Sequence, residues 1–145
     1  MTNGISLKTL REANKKRLLE ASKNKHHKFY KSVNWTEAQW LKAVLGELGE
    51  YANLSKKFDR GDFPEKEFKL EAAKELADVQ CYLDMLANKI GVDLGNATKD
   101  KFNEVSERVN SNIEIGDDDD WHYRFEPKEY NKIKPNSKKI NKVKK

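Results

Sequence analysis

Two pairs of acidic residues with the same spacing are the groups in this sequence best suited to bind a cation. Glu47 and Glu50 are three residues apart, and so are Glu75 and Asp78. Residues three apart lie on one side of a helix, so each pair would present two carboxylates together. Four carboxylates close together repel each other unless they hold a proton or a cation. An oxygen-only ligand set favours Mg²⁺, or Mn²⁺, over zinc.

The first pair lies in the most apolar part of the chain, between Leu41 and Leu54. Only four residues of this stretch are strongly polar. A helix that is apolar on nearly all sides is usually buried, and a buried carboxylate is costly unless it is paired, hydrogen-bonded or bound to a metal. The sequence therefore predicts that Glu47 and Glu50 have a partner elsewhere in the fold.

Capping signals predict a long helix around this first pair. Thr36 and Gln39 have the spacing of a capping box, in which the side chain of each residue accepts a hydrogen bond from the free backbone N–H of the other. The helix should run to about Phe58, and Gly61 supplies the permissive backbone that ends it.

A second long helix should carry Glu75 and Asp78. Asp62 is the expected cap, Pro64 suits the first turn, and the helix should continue to about Ile90. At 100° per residue its apolar stripe comprises Ala72, Leu76, Val79, Leu83, Leu86 and Ile90. Glu75, Asp78 and Tyr82 fall along one edge of that stripe, whereas Asp84 is expected to face outward.

Antiparallel packing of the two helices would bring the carboxylate pairs to one level. Glu50 lies 11 residues before Gly61, and Glu75 lies 14 residues after it. At about 1.5 Å per residue these distances along the helices are similar. The four carboxylates are therefore expected to meet across the hairpin.

The rest of the chain completes an all-α architecture. We expect a basic, partly helical N-terminal extension (1–35), a helical domain (36–112) whose third helix spans about Asp93 to Asn110, an acidic turn with an aromatic segment (113–130), and a basic, disordered tail (131–145). No strand is predicted. The expected fold is an antiparallel helical bundle built on a long helical hairpin.

Charge and composition limit the classes of function. Residues 1–35 and 121–145 each carry nine basic and two acidic residues, whereas residues 36–120 carry 11 basic and 20 acidic residues. The single cysteine, the absence of an apolar leader and the lack of a membrane-length apolar run predict a soluble, cytoplasmic protein. An acidic centre suits a cation site, and the basic ends are candidates for contact with nucleic acid.

Three segments together resemble the MazG-like branch of the all-α nucleoside triphosphate pyrophosphohydrolases. They are GELGEYANLSKK (Gly46–Lys57), KELADVQCYLDMLANKIGVDL (Lys74–Leu94) and KFNEVSERV (Lys101–Val109). The resemblance covers about residues 35–112. It implies Mg²⁺-dependent hydrolysis of a (d)NTP to the (d)NMP and pyrophosphate by a homodimer or homotetramer.

The resemblance also implies roles for individual residues. Glu47, Glu50, Glu75 and Asp78 match metal ligands, and Glu47 or Glu50 is also a candidate for aligning the attacking water. Lys101 and Asn103 match residues that contact the nucleotide phosphates or sugar.

Further residues are candidates for substrate binding. Either Lys101, or Lys57 together with Lys56, is expected to steady the leaving pyrophosphate, and Tyr82 and Trp40 are expected to pack on the sugar or base. For both aromatics core packing is an equal alternative, and Lys57 is also suited to stabilise the helix dipole.

A different class of function competes with the enzyme. A helical module that uses its basic ends to bind nucleic acid or an acidic partner would account for the charge distribution. A third interpretation is a relative that only assembles and keeps its carboxylates for structure.

Overall fold

The computed structural model describes residues 4–130 and residue 132. The elements in chain order are α1 (Leu7–Lys23), a 3-10 turn (Tyr30–Ser32), α2 (Glu37–Asp59), α3 (Glu65–Lys89), α4 (Leu94–Arg108), β1 (Ile113–Ile115), β2 (Trp121–Tyr123) and α5 (Pro127–Tyr130). The predicted helical character is confirmed. The predicted basic tail lies outside the described residues, apart from Lys132.

The chain divides into two compact units. The first ends at Leu94 and contains α1 to α3, and the second begins at Gly95 and contains most of α4 with the two strands. The domain bounds expected from the sequence, at residues 35 and 112, stay predictions.

Helix α2 begins at the predicted capping box. The Thr36 hydroxyl accepts from the backbone N–H of Gln39 at 3.3 Å, and the Gln39 side-chain oxygen accepts from the Thr36 N–H at 2.9 Å. Gly61, with a φ of +79° that disfavours side chains, turns the chain after the helix. The local signals at both ends of α2 were therefore sufficient to predict it.

Helix α3 begins without the predicted Asp62 cap. Pro64 occupies the N-cap position and forms no side-chain hydrogen bond there. Asp62 instead accepts a hydrogen bond from the Arg60 guanidinium at 2.6 Å, so its carboxylate bonds within the turn between α2 and α3. The other end of α3 follows the prediction, because Gly91 adopts a φ of +75° after the last turn.

Helices α2 and α3 form the predicted antiparallel hairpin. Near the turn, the rings of Phe58 and Phe68 stack with centroids 4.5 Å apart. Far from the turn, Trp40 lies 6.2 Å from Tyr82. Early positions of α2 thus meet late positions of α3, as antiparallel packing requires.

Helix α2 is buried along one face only, which corrects the expectation of burial on nearly all sides. Trp40 and Val44 are its buried residues. Leu41, Leu45 and Leu48 are 44%, 57% and 43% exposed. Within one chain, α3 covers a single face of α2 and leaves these leucines uncovered.

Helix α1 packs on α3 through a buried polar contact. Asp84, expected to face outward, is only 1% exposed. Its carboxylate accepts from the Arg11 guanidinium at 3.3 Å and from the Asn14 amide at 2.9 Å. The helical pattern of α3 does not predict this contact, because the contacting residue Asn14 of α1 lies 70 residues away from Asp84 in the sequence.

The second unit contains a small antiparallel sheet that the sequence did not predict. Ile113 pairs with Tyr123 and Ile115 with Trp121. Each strand has only three residues, too short for an alternating pattern to be visible. On the outer edge of β1, a side chain satisfies the backbone groups of Ile115. The Asn103 amide nitrogen donates to the Ile115 carbonyl, and the Asn103 amide oxygen accepts from the Ile115 N–H.

In the described residues, no helix combines the length and the apolar character needed to cross a membrane.

Candidate functional site

Glu47 lies within electrostatic range of the three other predicted carboxylates, two of which belong to the facing helix α3. Glu47 is partly buried on the face of α2 that meets α3. Its pKa is raised, first by burial and then by repulsion from Asp78, Glu75 and Glu50 in that order. Both causes disfavour the charged carboxylate. The structure therefore brings the two pairs into one electrostatic cluster centred on Glu47.

The carboxylates of the cluster differ in their access to solvent. Glu50 and Asp78 are exposed, whereas Glu47 and Glu75 are partly buried. The cluster therefore opens at the surface of the hairpin.

The donor chemistry of this cluster fits a hard cation, but the side chains do not form a ready coordination shell. Within the part of the chain that the structure describes, no three His, Cys, Asp or Glu side chains are grouped closely enough to hold a metal ion. Repulsion between carboxylates extends over several ångströms, whereas Mg²⁺ requires oxygens at about 2.1 Å. The observations are compatible: the four groups share one region, and binding Mg²⁺ would require their side chains to converge.

Tyr82 lies beside this cluster, one turn after Asp78. The pKa of its phenol is raised, first by burial and then by Glu47 and Asp78, whereas Arg17 opposes the shift. The phenol is therefore within electrostatic range of two acidic residues and one guanidinium. A partly buried ring at the edge of a charged cluster can pack on a sugar or a base.

Trp40, the other aromatic candidate, is part of the core. It is 2% exposed, and its ring contacts Trp35 edge-on, with centroids 4.8 Å apart. With Tyr82 on another side, the ring of Trp40 offers little surface to a ligand. Its burial favours the core-packing alternative.

Lys57 lies at the turn end of the hairpin rather than at the cluster. It stands ten residues after Glu47, which corresponds to about 15 Å along α2. It is exposed in the last turn, where a cation stabilises the helix dipole.

Lys101 and Asn103 belong to the second unit, and both have local partners there. The Lys101 ammonium pairs with Glu104 at 2.6 Å. The Asn103 amide is used by the Ile115 backbone at 2.9 and 2.8 Å. The contacts within this unit therefore give Asn103 a structural role in addition to any role in binding.

A solvent-open pocket of about 310 Å³ lies elsewhere in the first unit. Its lining residues are Ser22, Tyr30, Lys31, Val33 and Asn34. None of them belongs to the carboxylate cluster, so the pocket and the chemically promising residues do not coincide. A pocket alone specifies no chemistry, whereas the carboxylates do.

Sequence reasoning missed Arg17 near Tyr82. Arg17 lies in α1, in the basic extension, where lysines and arginines are too frequent for one to stand out. Only the packing of α1 on α3 distinguishes it from the other cations.

The chain matched no protein-family model, and searches among curated proteins and among solved structures likewise found no match. The resemblance to MazG-like enzymes therefore stays a prediction from the three sequence segments.

Proposed function

We propose that this protein is a Mg²⁺-dependent nucleoside triphosphate pyrophosphohydrolase that cleaves a (d)NTP to the (d)NMP and pyrophosphate. The observation that carries the proposal is the partly buried Glu47, whose pKa is raised first by burial and then by three carboxylates from its own helix and the facing helix. A cluster of like charges destabilises a fold, and such clusters are typical of sites that bind cations or carry out proton chemistry.

Glu47, Glu50, Glu75 and Asp78 would hold Mg²⁺, or Mn²⁺, in the proposed enzyme. The bound ion would neutralise the triphosphate and orient it for in-line attack. The exposed carboxylate of Glu50 is suited to orient a solvent water toward the α-phosphorus. Tyr82 is suited to pack on the sugar or base, since its partly buried phenol lies within electrostatic range of Glu47 and Asp78.

Further contacts to the substrate rest on the sequence resemblance. Lys101 and Asn103 are proposed to contact the phosphates or sugar, and Lys57 the departing pyrophosphate. An enzyme acting on nucleoside triphosphates meets its substrate in the cytoplasm, which is the location proposed for this protein.

A second copy of the chain is the proposed cover for the exposed side of α2. Ala38, Leu41, Leu45, Leu48 and Ala52 are all exposed and alternate at spacings of three and four residues. This is the spacing of a helix–helix seam. We propose a homodimer or homotetramer in which this apolar stripe is buried.

The enzyme proposal is tested by measuring pyrophosphate release from a panel of dNTPs and NTPs with Mg²⁺. We expect Glu47→Gln and Glu50→Gln to lower kcat/KM by about 100-fold or more, which corresponds to about 2.7 kcal/mol of transition-state stabilisation. Glu67→Gln, on an exposed part of α3 before the cluster, is the matched control and should behave as wild type.

Two results would contradict the proposal. One is the absence of metal-dependent pyrophosphate release from every nucleotide of the panel. The other is equal release by wild type and both cluster variants.

A further inference from the structure

A chain of polar contacts leads from the core of the first unit to an exposed arginine. Asp84 and Asn14 are each 1% exposed. The Asn14 amide nitrogen donates to Asp84 at 2.9 Å, and its oxygen accepts from the Arg17 guanidinium at 2.7 Å. The guanidinium also lies over the ring of Phe29, 5.4 Å from its centroid. Arg17 is therefore held on two sides, although it is exposed to solvent.

The packing direction of α1 places Arg17 further along α3 toward the carboxylate cluster than Arg11 and Asn14. Arg11 reaches Val92 and Asp84 of the facing segment, and Asn14 reaches Asp84. Helix α1 thus runs antiparallel to α3. Moving from Asn14 to Arg17 advances about 4.5 Å along α1, toward Tyr82 and, beyond it, Asp78.

Electrostatics agree with this placement. Arg17 lowers the pKa of the Tyr82 phenol, whereas Glu47 and Asp78 raise it. One cation and two members of the cluster therefore act on the same group. Among the described residues Arg17 forms no ion pair, so its charge is available to a ligand.

An arginine held in this way is suited to bind an anion. A free arginine side chain loses conformational entropy when a ligand orders it, and this loss weakens binding. The Asn14 hydrogen bond and the Phe29 ring already restrict Arg17 before a ligand binds. The Asn14 contact uses one of the guanidinium nitrogens, and the fork of five N–H donors matches phosphate oxygens.

We propose that Arg17 binds the phosphate groups of the nucleotide substrate beside the carboxylate cluster, and that Asn14 and Asp84 hold it in position. The inference rests on the proposed function for the identity of the substrate. It also assigns a role to the basic N-terminal extension, which becomes part of the site.

The test is the affinity of the full chain for inorganic tripolyphosphate with Mg²⁺, measured by calorimetry. Arg17→Ala should weaken binding about tenfold or more, and Arg17→Lys by less, because lysine keeps the charge without the fork. The control is Lys16→Ala, which removes the same charge one position away on the solvent side of α1. It should change the affinity less than about twofold.

The positioning role of Asn14 is tested by Asn14→Ala at a temperature well below the melting temperature of each variant. This substitution removes no charge. It should nevertheless weaken tripolyphosphate binding and raise KM while kcat changes little, which a purely structural role would not produce.

Failure of this inference can be distinguished from failure of the proposed function. It is overturned if wild type binds no tripolyphosphate, if Arg17→Ala binds as tightly as wild type, or if Lys16→Ala weakens binding equally. Nucleotide hydrolysis with an unchanged KM in Arg17→Ala would overturn it and leave the enzyme proposal intact. Binding that depends on Arg17, without hydrolysis of any nucleotide, would support phosphate binding and contradict the enzyme.

Discussion

Two acidic residues of the first unit have opposite electrostatic surroundings. Asp84 is more deeply buried than Glu47 and contacts a guanidinium and an amide. Glu47 has three other carboxylates within electrostatic range, and its pKa is raised first by burial and then by their repulsion. A buried acid that is fully partnered contributes to the structure, whereas one among like charges costs stability and suggests a site. Burial alone would have selected the wrong residue.

At the residue scale, Arg11→Ala should be strongly destabilising. It leaves the 1% exposed side chain of Asp84 without its cation, and the Arg11 side chain itself is only 15% exposed. Removing one partner of a buried ion pair typically costs about 3 kcal/mol or more. The free energy of unfolding from urea denaturation measures the loss.

Arg60→Ala is the matched control for Arg11→Ala. It breaks another Arg–Asp pair, with Asp62, in which both side chains are solvent-accessible. Solvent screens such pairs, so the loss should be much smaller. Equal losses in the two variants would show that the Asp84 contact contributes nothing beyond a surface pair.

At the scale of elements, the hairpin of β1 and β2 depends on side chains as much as on its short ladder. Asn112 bonds both the N–H and the C=O of Phe125, as Asn103 does for Ile115. In the turn, His122 contacts Asp118 at 2.9 Å. A β-carbon on Gly116 would approach the Asp118 carboxylate to 2.6 Å. Glycine at this position therefore makes room for the His122–Asp118 pair.

The His122–Asp118 pair predicts a pH window for the hairpin. Its hydrogen bond raises the pKa of His122 above 6.5 and lowers that of Asp118 below 3.8. The contribution of His122 is complete below pH 6.5 and is lost as the pH rises through its folded pKa. The contribution of Asp118 is complete above pH 3.8 and is lost as the pH falls through its folded pKa. The pair should therefore stabilise the hairpin most between these two values.

The NMR titration of the His122 ring checks the pH window. In wild type the midpoint should lie above 6.5, and Asp118→Asn should move it back toward that value. A midpoint that does not respond to Asp118→Asn would mean that the pair does not form in solution. Asp93→Asn, outside the hairpin, is a suitable control.

At the scale of the whole molecule, the exposed leucines of α2 predict self-association. Leu45 sits in the middle of the apolar stripe and is 57% exposed. Leu45→Glu should shift the protein toward a monomer, because a buried seam cannot accept an unpaired carboxylate. Light scattering coupled to size-exclusion chromatography measures the change in mass.

Leu19→Glu provides a control of equal exposure, since Leu19 in α1 is also 57% exposed but lies outside the stripe. It should leave the mass unchanged. A monomeric wild type, or a Leu45→Glu variant with the wild-type mass, would contradict self-association through this face.

Local signals in the sequence determined helices α2 and α3 and the helical hairpin that they form. The Thr36–Gln39 capping box, Gly61 and Gly91 act within one turn of the chain, so their effect does not depend on distant residues. Helical spacing then put the two carboxylate pairs at one level. The composition of the pairs, not their environment, suggested a hard cation.

Only the tertiary structure decided which of the chain's many charged residues are partnered. The spacing along α3 predicted an outward-facing Asp84, but α1 covers it. The sequence did not distinguish Arg17 from the other cations of α1, whereas in the structure Asn14 binds it. The apolar sequence of α2 predicted burial on nearly all sides, but α3 covers only one face and leaves Leu41, Leu45 and Leu48 exposed. These outcomes depend on contacts between residues tens of positions apart, and local propensity and periodicity carry no information about such contacts.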